Sequence, residues 1–95
     1  MPAYIVARVD VHDMEQYKKY MALTPAAIEA FGGKFIARGG EVITLEGPKE
    51  ERRVVLLEFP DIESAKAFYD SEQYQTAKAL REGAAAGSFI LLEGV

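Results

Sequence analysis

GGKFIARGGEVITLEGPKEERRVVLLEF, residues 32–59, decides how this chain folds. KFIAR and EVITLE read as one strand interrupted at Gly39-Gly40, GPKEE is a polar turn, and RRVVLLEF is the answering strand. β-branched and aromatic residues bounded by glycine and proline clusters mark a hairpin over residues 34 to 59. Glycine weakens the interior of regular structure, so the pair at 39 and 40 needs a reason. A bulge there would bend the strand and re-aim Arg38, which follows the apolar Phe35-Ile36-Ala37.

Each side of the hairpin carries a strand and a helical pattern. Residues 3–11, AYIVARVDV, alternate with period two: Ile5, Ala7 and Val9 on one face, Tyr4, Val6 and Arg8 on the other. Asp13 then suits an N-cap, with Gln16 completing a capping box. Met14, Tyr17, Met21, Thr24, Ile28 and Phe31 form an apolar stripe at helical spacing. Pro25 predicts a kink, or a fresh start with Thr24 as cap, and Gly32 suits the residue just past the helix. Beyond the hairpin, Asp61 caps a second helix with Ile62, Ala65, Phe68 and Tyr69 inward. Ser71 caps a further segment carrying Tyr74, Ala77, Leu80 and Arg81, and SFILLEGV is the last strand.

The order β-α-β-β-α-β predicts a ferredoxin-like α+β subunit, residues 1–95 as one domain, with an antiparallel four-stranded sheet and helices on one face. VVLL and FILL are apolar on both faces, yet the helices can cover only one. The uncovered face would expose members of the set Tyr4, Val6, Val54, Leu56, Phe89 and Leu91. A patch beyond roughly 300–600 Å² calls for a partner, and a second sheet packed face to face predicts a homodimer. The alternative is that the last helical segment folds across that face.

Composition narrows the function. Ninety-five residues, 49% hydrophobic, are enough for one modest core. Zero cysteines exclude disulfide and thiolate chemistry and fit a reducing cytoplasm. A net charge of −4 has the wrong sign for nucleic acid, and Arg8 and Asp10 inside the first apolar run argue against a signal peptide or membrane span. Walker, GxGxxG and GxSxG motifs are missing, and one histidine without cysteine argues against a transition-metal site. No cofactor is expected.

Several polar residues remain for chemistry. Arg38 is either an edge-strand guard or a ligand-facing cation. Arg8 and Glu58 sit near the ends of the first and third strands. Taken as adjacent and parallel, those strands would bring the two charges together, either as a structural ion pair or as a site. In the second case Arg8 and Arg38 hold a carboxylate, enolate or phenolate while Glu58 exchanges protons. His12, just before the N-cap, is a solvated loop residue or a base. The tyrosines at 17, 20, 69 and 74 are core residues or pocket walls, with Arg81 two turns after Tyr74.

These motifs carry a resemblance. Asp13-x-x-x-Tyr17, the GGKFIARGGEV segment with LEG at 45 to 47, residues 56–81 (LLEFPDIESAKAFYDSEQYQTAKALR) and the late FILLEG together resemble the family known as domain of unknown function 1330. That family lies within the dimeric α+β barrel superfamily. The resemblance covers nearly the whole chain and implies a βαββαβ subunit whose sheet packs on a second copy. Superfamily relatives include cofactor-independent monooxygenases, lactone isomerases, haem-dependent enzymes and stress-induced proteins, so fold alone says little about chemistry. Tyr17, Tyr69 and Tyr74 fall at positions that the family motifs share.

The sequence thus predicts a homodimer binding a small, partly hydrophobic organic molecule, acting on it without a cofactor by proton transfer or oxygenation. Arg38, Glu58 and His12 are the candidate catalytic residues; Arg8, Tyr17, Tyr69, Tyr74 and Arg81 are the candidate substrate-binding ones. A non-catalytic binding or stress-related protein, and a purely structural dimer, are the competing readings.

Overall fold

A computed structural model describes residues 1–95. Its elements are β1 (Ala3–Val11), α1 (Met14–Ala30), β2 (Lys34–Arg38), β3 (Arg53–Phe59), α2 (Ile62–Asp70), α3 (Glu72–Arg81) and β4 (Ala85–Glu93). The four strands form one sheet in the order β2-β3-β1-β4, with every neighbouring pair antiparallel. This is the ferredoxin-like α+β arrangement. Ala3, Ile5, Ala7 and Val9 of β1 are buried beneath the helices, as the period-two alternation requires. Around them Phe59, Phe68 and Tyr74 pack ring against ring, with centroids 5.1 Å (Phe59–Phe68) and 4.7 Å (Phe68–Tyr74) apart.

Local chemistry accounts for the helices. Asp13 accepts the Gln16 backbone N–H, Asp61 that of Ser64, and the Ser71 hydroxyl that of Tyr74, so all three begin on a side-chain cap. The capping box is only half formed. The Gln16 side chain instead donates to the Leu80 carbonyl at 2.8 Å, satisfying the end of α3, which packs beside α1. α1 runs through Pro25 as one helix. The Met21 carbonyl, which would have accepted from residue 25, accepts the Thr24 hydroxyl at 3.3 Å instead. At the other end Gly32 adopts φ +77° and Gly33 donates to the Ile28 carbonyl at 2.9 Å, the Schellman ending that favours glycine. The stripe of α1 is shifted from the expected one: Tyr20 and Ala27 are buried, and Met14 is exposed.

Three expectations need correction. EVITLE is not strand: β2 stops at Arg38, because Gly39 at φ +68° turns the chain out of the ladder after donating a last hydrogen bond to the Val54 carbonyl. The bulge lies earlier than the glycine pair, where the register jumps between Phe35 and Ala37. The last strand starts at Ala85 rather than at Ser88, so Gly87 lies inside it.

The face away from the helices stays open, since α3 packs on α1 rather than crossing it. The register pairs Val6 with Leu56 and Ile90, and Tyr4 with Glu58 and Leu92. Ile90 and Leu92, 51% and 55% exposed, therefore occupy the open face in place of Phe89 and Leu91, which pack toward the core. FILL is apolar at four consecutive positions, so its pattern cannot choose a face, and the register must.

Candidate functional site

Beneath α1, against the helix-facing side of the sheet, lies a cavity of about 40 Å³ with an almost wholly apolar lining. Val9, Val55, Leu57 and Phe89 form its floor, and Tyr17, Tyr20, Met21 and Thr24 of α1 its roof. Tyr74 of α3 reaches in, and the Tyr20 and Tyr74 hydroxyls satisfy one another at 2.9 Å. Burial raises the pKa of both Tyr17 and Tyr20 above the ordinary phenol value. For Tyr17 the charges of Arg53 and Arg81 pull the other way without overcoming it. These hydroxyls therefore keep their protons near neutrality.

Arg38 and Arg53 line the same cavity, and each is aimed by a local device. Side chains three apart on a regular strand face opposite ways. The bulge between Phe35 and Ala37 adds one residue, which brings Arg38 round to the side of Phe35, its guanidinium 4.2 Å from the ring centre. Arg53 alternates with Val55 and Leu57 onto the helix-facing side, and its guanidinium lies over Gly39, where any side chain would collide with it. Its Nε is buried with no hydrogen-bond partner. Arg81, 8% exposed, sits over the rings of Phe89 (4.8 Å) and Tyr20 (5.4 Å), and its Nε is likewise unpartnered. Burial works to lower its pKa, but the Tyr74 and Tyr20 hydroxyls outweigh this and the net direction is up, so it stays cationic. No carboxylate forms an ion pair with Arg38, Arg53 or Arg81; the three ion pairs of the chain involve Arg8, Lys34 and Arg52.

The predicted site residues thus separate. The cavity gathers Arg38, Tyr17 and Tyr74, with Arg81 stacked on two of its rings. Tyr69 stands behind Tyr74, centroids 5.2 Å apart, and accepts a hydrogen bond from Lys78 at 3.0 Å. Arg8 and Glu58 are elsewhere. β1 and β3 are antiparallel, not parallel, so Arg8 opposes Val54 while Glu58 opposes Tyr4, roughly 13 Å further along at about 3.3 Å per residue. Both lie on the open face, Arg8 bound to Glu50 at 3.1 Å and Glu58 to Lys34 at 3.3 Å. The exposed His12 lies outside the cavity, and its backbone N–H donates to the Ala84 carbonyl. Arg53 was not among the residues singled out. Counting back in twos from Leu57 was the signal that would have found it.

No group of three or more His, Asp or Glu side chains is placed to hold a metal ion, and no helix is long and apolar enough to cross a membrane.

Solved structures share the fold at low identity. A protein of unknown function from Rhodopseudomonas palustris is 22% identical, with a TM-score of 0.78 over 99% of this chain and 82% of that one. A dimeric ferredoxin-like protein of unknown function from Jannaschia sp. CCS1 is 15% identical, with a TM-score of 0.73 over 99% of this chain and 100% of that one. SnoaB, a cofactor-independent oxygenase from Streptomyces nogalater, is also 15% identical, with a TM-score of 0.70 over 99% of this chain and 93% of its own. No curated protein matches the chain by sequence. By sequence, residues 2–95 match one family: the chain belongs to DUF1330, the domain of unknown function 1330.

Proposed function

We propose that this chain binds a small organic anion with an apolar body in the cavity under α1. The observation that carries this reading is the set of three arginines, Arg38, Arg53 and Arg81, around or against an apolar cavity with no carboxylate to neutralise them. Arg81 is buried, Arg53 is half-buried and Arg38 is exposed. A buried cation normally persists with a partner, and a bound anion would supply one. A cavity of about 40 Å³ holds only a water or two, so a ligand enters by moving the mouth. The exposed Arg38 and the flexible Met21 are the side chains placed to yield. In this reading residues 1–95 act as one domain, paired with a second copy through the open face, as the protein from Jannaschia is described as dimeric. The cysteine-free composition suits the reducing cytoplasm, where we place it.

An enzymatic version also follows. No carboxylate or imidazole lines the cavity, and burial keeps Tyr17 and Tyr20 protonated, so neither supplies a base near neutral pH, which disfavours proton transfer by the protein. Arginines that stabilise an enolate or phenolate would instead suit cofactor-independent oxygenation, the activity described for SnoaB. Oxygen uptake by the purified protein with ionisable phenols tests this version; no uptake above the protein-free rate leaves binding alone.

The direct test of binding is thermal denaturation with benzoate and, as the neutral isostere, benzamide. Benzoate should raise the melting temperature by several degrees at millimolar concentration, and benzamide should not. Arg53→Gln should abolish the benzoate shift. Equal shifts from the two compounds would remove the arginines from recognition.

A further inference from the structure

We propose that Arg81 is a second anion anchor, across the cavity from Arg53, so that the ligand is a dianion with charged groups at opposite ends of an apolar body. This rests on the binding reading above and specifies its ligand. Arg53 lies over Gly39, beside the end of β2, whereas Arg81 NH1 lies within 3.4 Å of where a side chain on Gly87 of β4 would begin. β2 and β4 are the two edges of the sheet, with β3 and β1 between. Three strand spacings of about 4.8 Å put the guanidinium groups roughly 14 Å apart. Allowing about 3 Å for a charge-assisted hydrogen bond at each end leaves about 8 Å between the anionic oxygens. That is the span of an aromatic ring carrying carboxylates at opposite positions.

Two further observations agree. Val9 lies midway across the sheet, paired with Arg53 on one side and Gly87 on the other, so an apolar floor runs between the anchors. Tyr17, on the roof, lies within electrostatic reach of both Arg53 and Arg81. Arg81 is also the most buried of the three arginines and holds its Nε donor unused. A monoanion seated at Arg53 would leave that donor unused still.

The experiment is calorimetric titration of the full chain with benzoate, benzene-1,4-dicarboxylate and benzene-1,2-dicarboxylate at one ionic strength. The 1,4-dicarboxylate should bind at least about tenfold more tightly than either of the others, the effect of one added charged hydrogen bond. Arg81→Gln should reduce the ratio of 1,4-dicarboxylate to benzoate affinity to about one, and Arg81→Lys should retain part of it; melting curves report whether each variant is folded. Benzoate binding with no preference for the 1,4-dicarboxylate would overturn the second anchor and leave the binding reading standing. A preference that survives Arg81→Gln would overturn the assignment to Arg81. Failure of all three compounds to bind would overturn both readings.

Discussion

The two faces of the sheet handle charge in opposite ways. On the open face every cation has a partner: Arg8 and Arg52 share Glu50, and Lys34 meets Glu58, around a patch of Tyr4, Val6, Leu56, Ile90 and Leu92. On the helix side Arg38, Arg53 and Arg81 have aromatic rings and glycine backbones for neighbours and no acid. The first face has its cations paired around an apolar centre, which suits contact with another protein surface. The second is positive and concave, which suits an anion. Residue type alone points equally to Arg8 and Glu58, which are already paired. Unsatisfied charge is the better guide, because it records an interaction that the isolated chain cannot complete.

The largest way to break the comparison is to charge the open face. Leu56→Asp, at the centre of the patch, should convert a dimer to a monomer in light scattering at micromolar concentration. The expected rise in dissociation constant is at least about a hundredfold, because an unpaired carboxylate would be desolvated in the interface. A monomeric wild type at the same concentration would remove the interface from the proposal. On the helix side the comparable change is Phe68→Ala, which deletes a ring packed against Phe59, Tyr74 and Phe31. It should cost about 3–5 kcal/mol in chemical denaturation. A core substitution of that size acts on the subunit fold itself, whereas Leu56→Asp should leave a folded monomer.

Alkaline pH reaches the cavity without mutation. Tyr20 keeps its proton in the folded state because burial, and its neighbour Tyr74, oppose ionisation. Below the ordinary phenol value of 10.0 both folded and unfolded chains are protonated and the stability is intact. Above it the unfolded chain ionises while folded Tyr20 does not, so stability falls by about 1.4 kcal/mol per pH unit until the raised folded value is reached. Urea midpoints between pH 9 and pH 11 measure this, and Tyr20→Phe should flatten the slope. An unchanged slope in Tyr20→Phe would show that the hydroxyl is not shielded as described.

A gain is expected from Arg53→Met. The substitution keeps an apolar stem in the cavity wall and removes a charge whose Nε is buried without a partner. By analogy with apolar replacement of buried charges, the unliganded protein should gain roughly 1 kcal/mol, a few degrees in melting temperature, while losing the benzoate response. Stability and binding would then move in opposite directions at one residue, as expected where a site holds charge ready for a ligand. A loss of stability would mean that the fold already satisfies Arg53.

Much of the fold was legible in the sequence because its signals were redundant. Asp13, Asp61 and Ser71 announced three helices, Gly32 ended the first, and the alternation in AYIVARVDV fixed the buried face of β1. Legibility failed where the pattern was degenerate. SFILLE offers four consecutive apolar residues, so the face of β4 was decided by hydrogen-bond register, and Phe89 and Leu91 exchanged places with Ile90 and Leu92. EVITLE has strand composition but no partner beyond Gly39, so composition misled. The cavity was half legible. Arg38, Tyr17, Tyr74 and Arg81 could be suspected as residue types, but Arg53 needed the register of β3, and Arg8 and Glu58 were joined only by assigning the wrong sense to neighbouring strands.

The smallest effect separates the faces most economically. Glu50 holds Arg52 at 3.0 Å and Arg8 at 3.1 Å, and hydrogen bonds from Arg52 set its carboxyl below the usual carboxylate range. A carboxyl lowered in this way stabilises the folded state above its unfolded pKa and ceases to as pH falls through the folded value. The group sits at the surface, where water and salt screen the pair, so little stability is at stake. Glu50→Gln should therefore leave the melting temperature of the subunit almost unchanged in 150 mM salt at neutral pH. The substitution nonetheless strips the open face of the acid that two arginines share. If that face meets a second copy, the cost should appear in the dimer dissociation constant, while benzoate affinity stays at the wild-type value. A fall in benzoate affinity instead would mean that the two faces are coupled, and that the charge of one helps to set the field of the other.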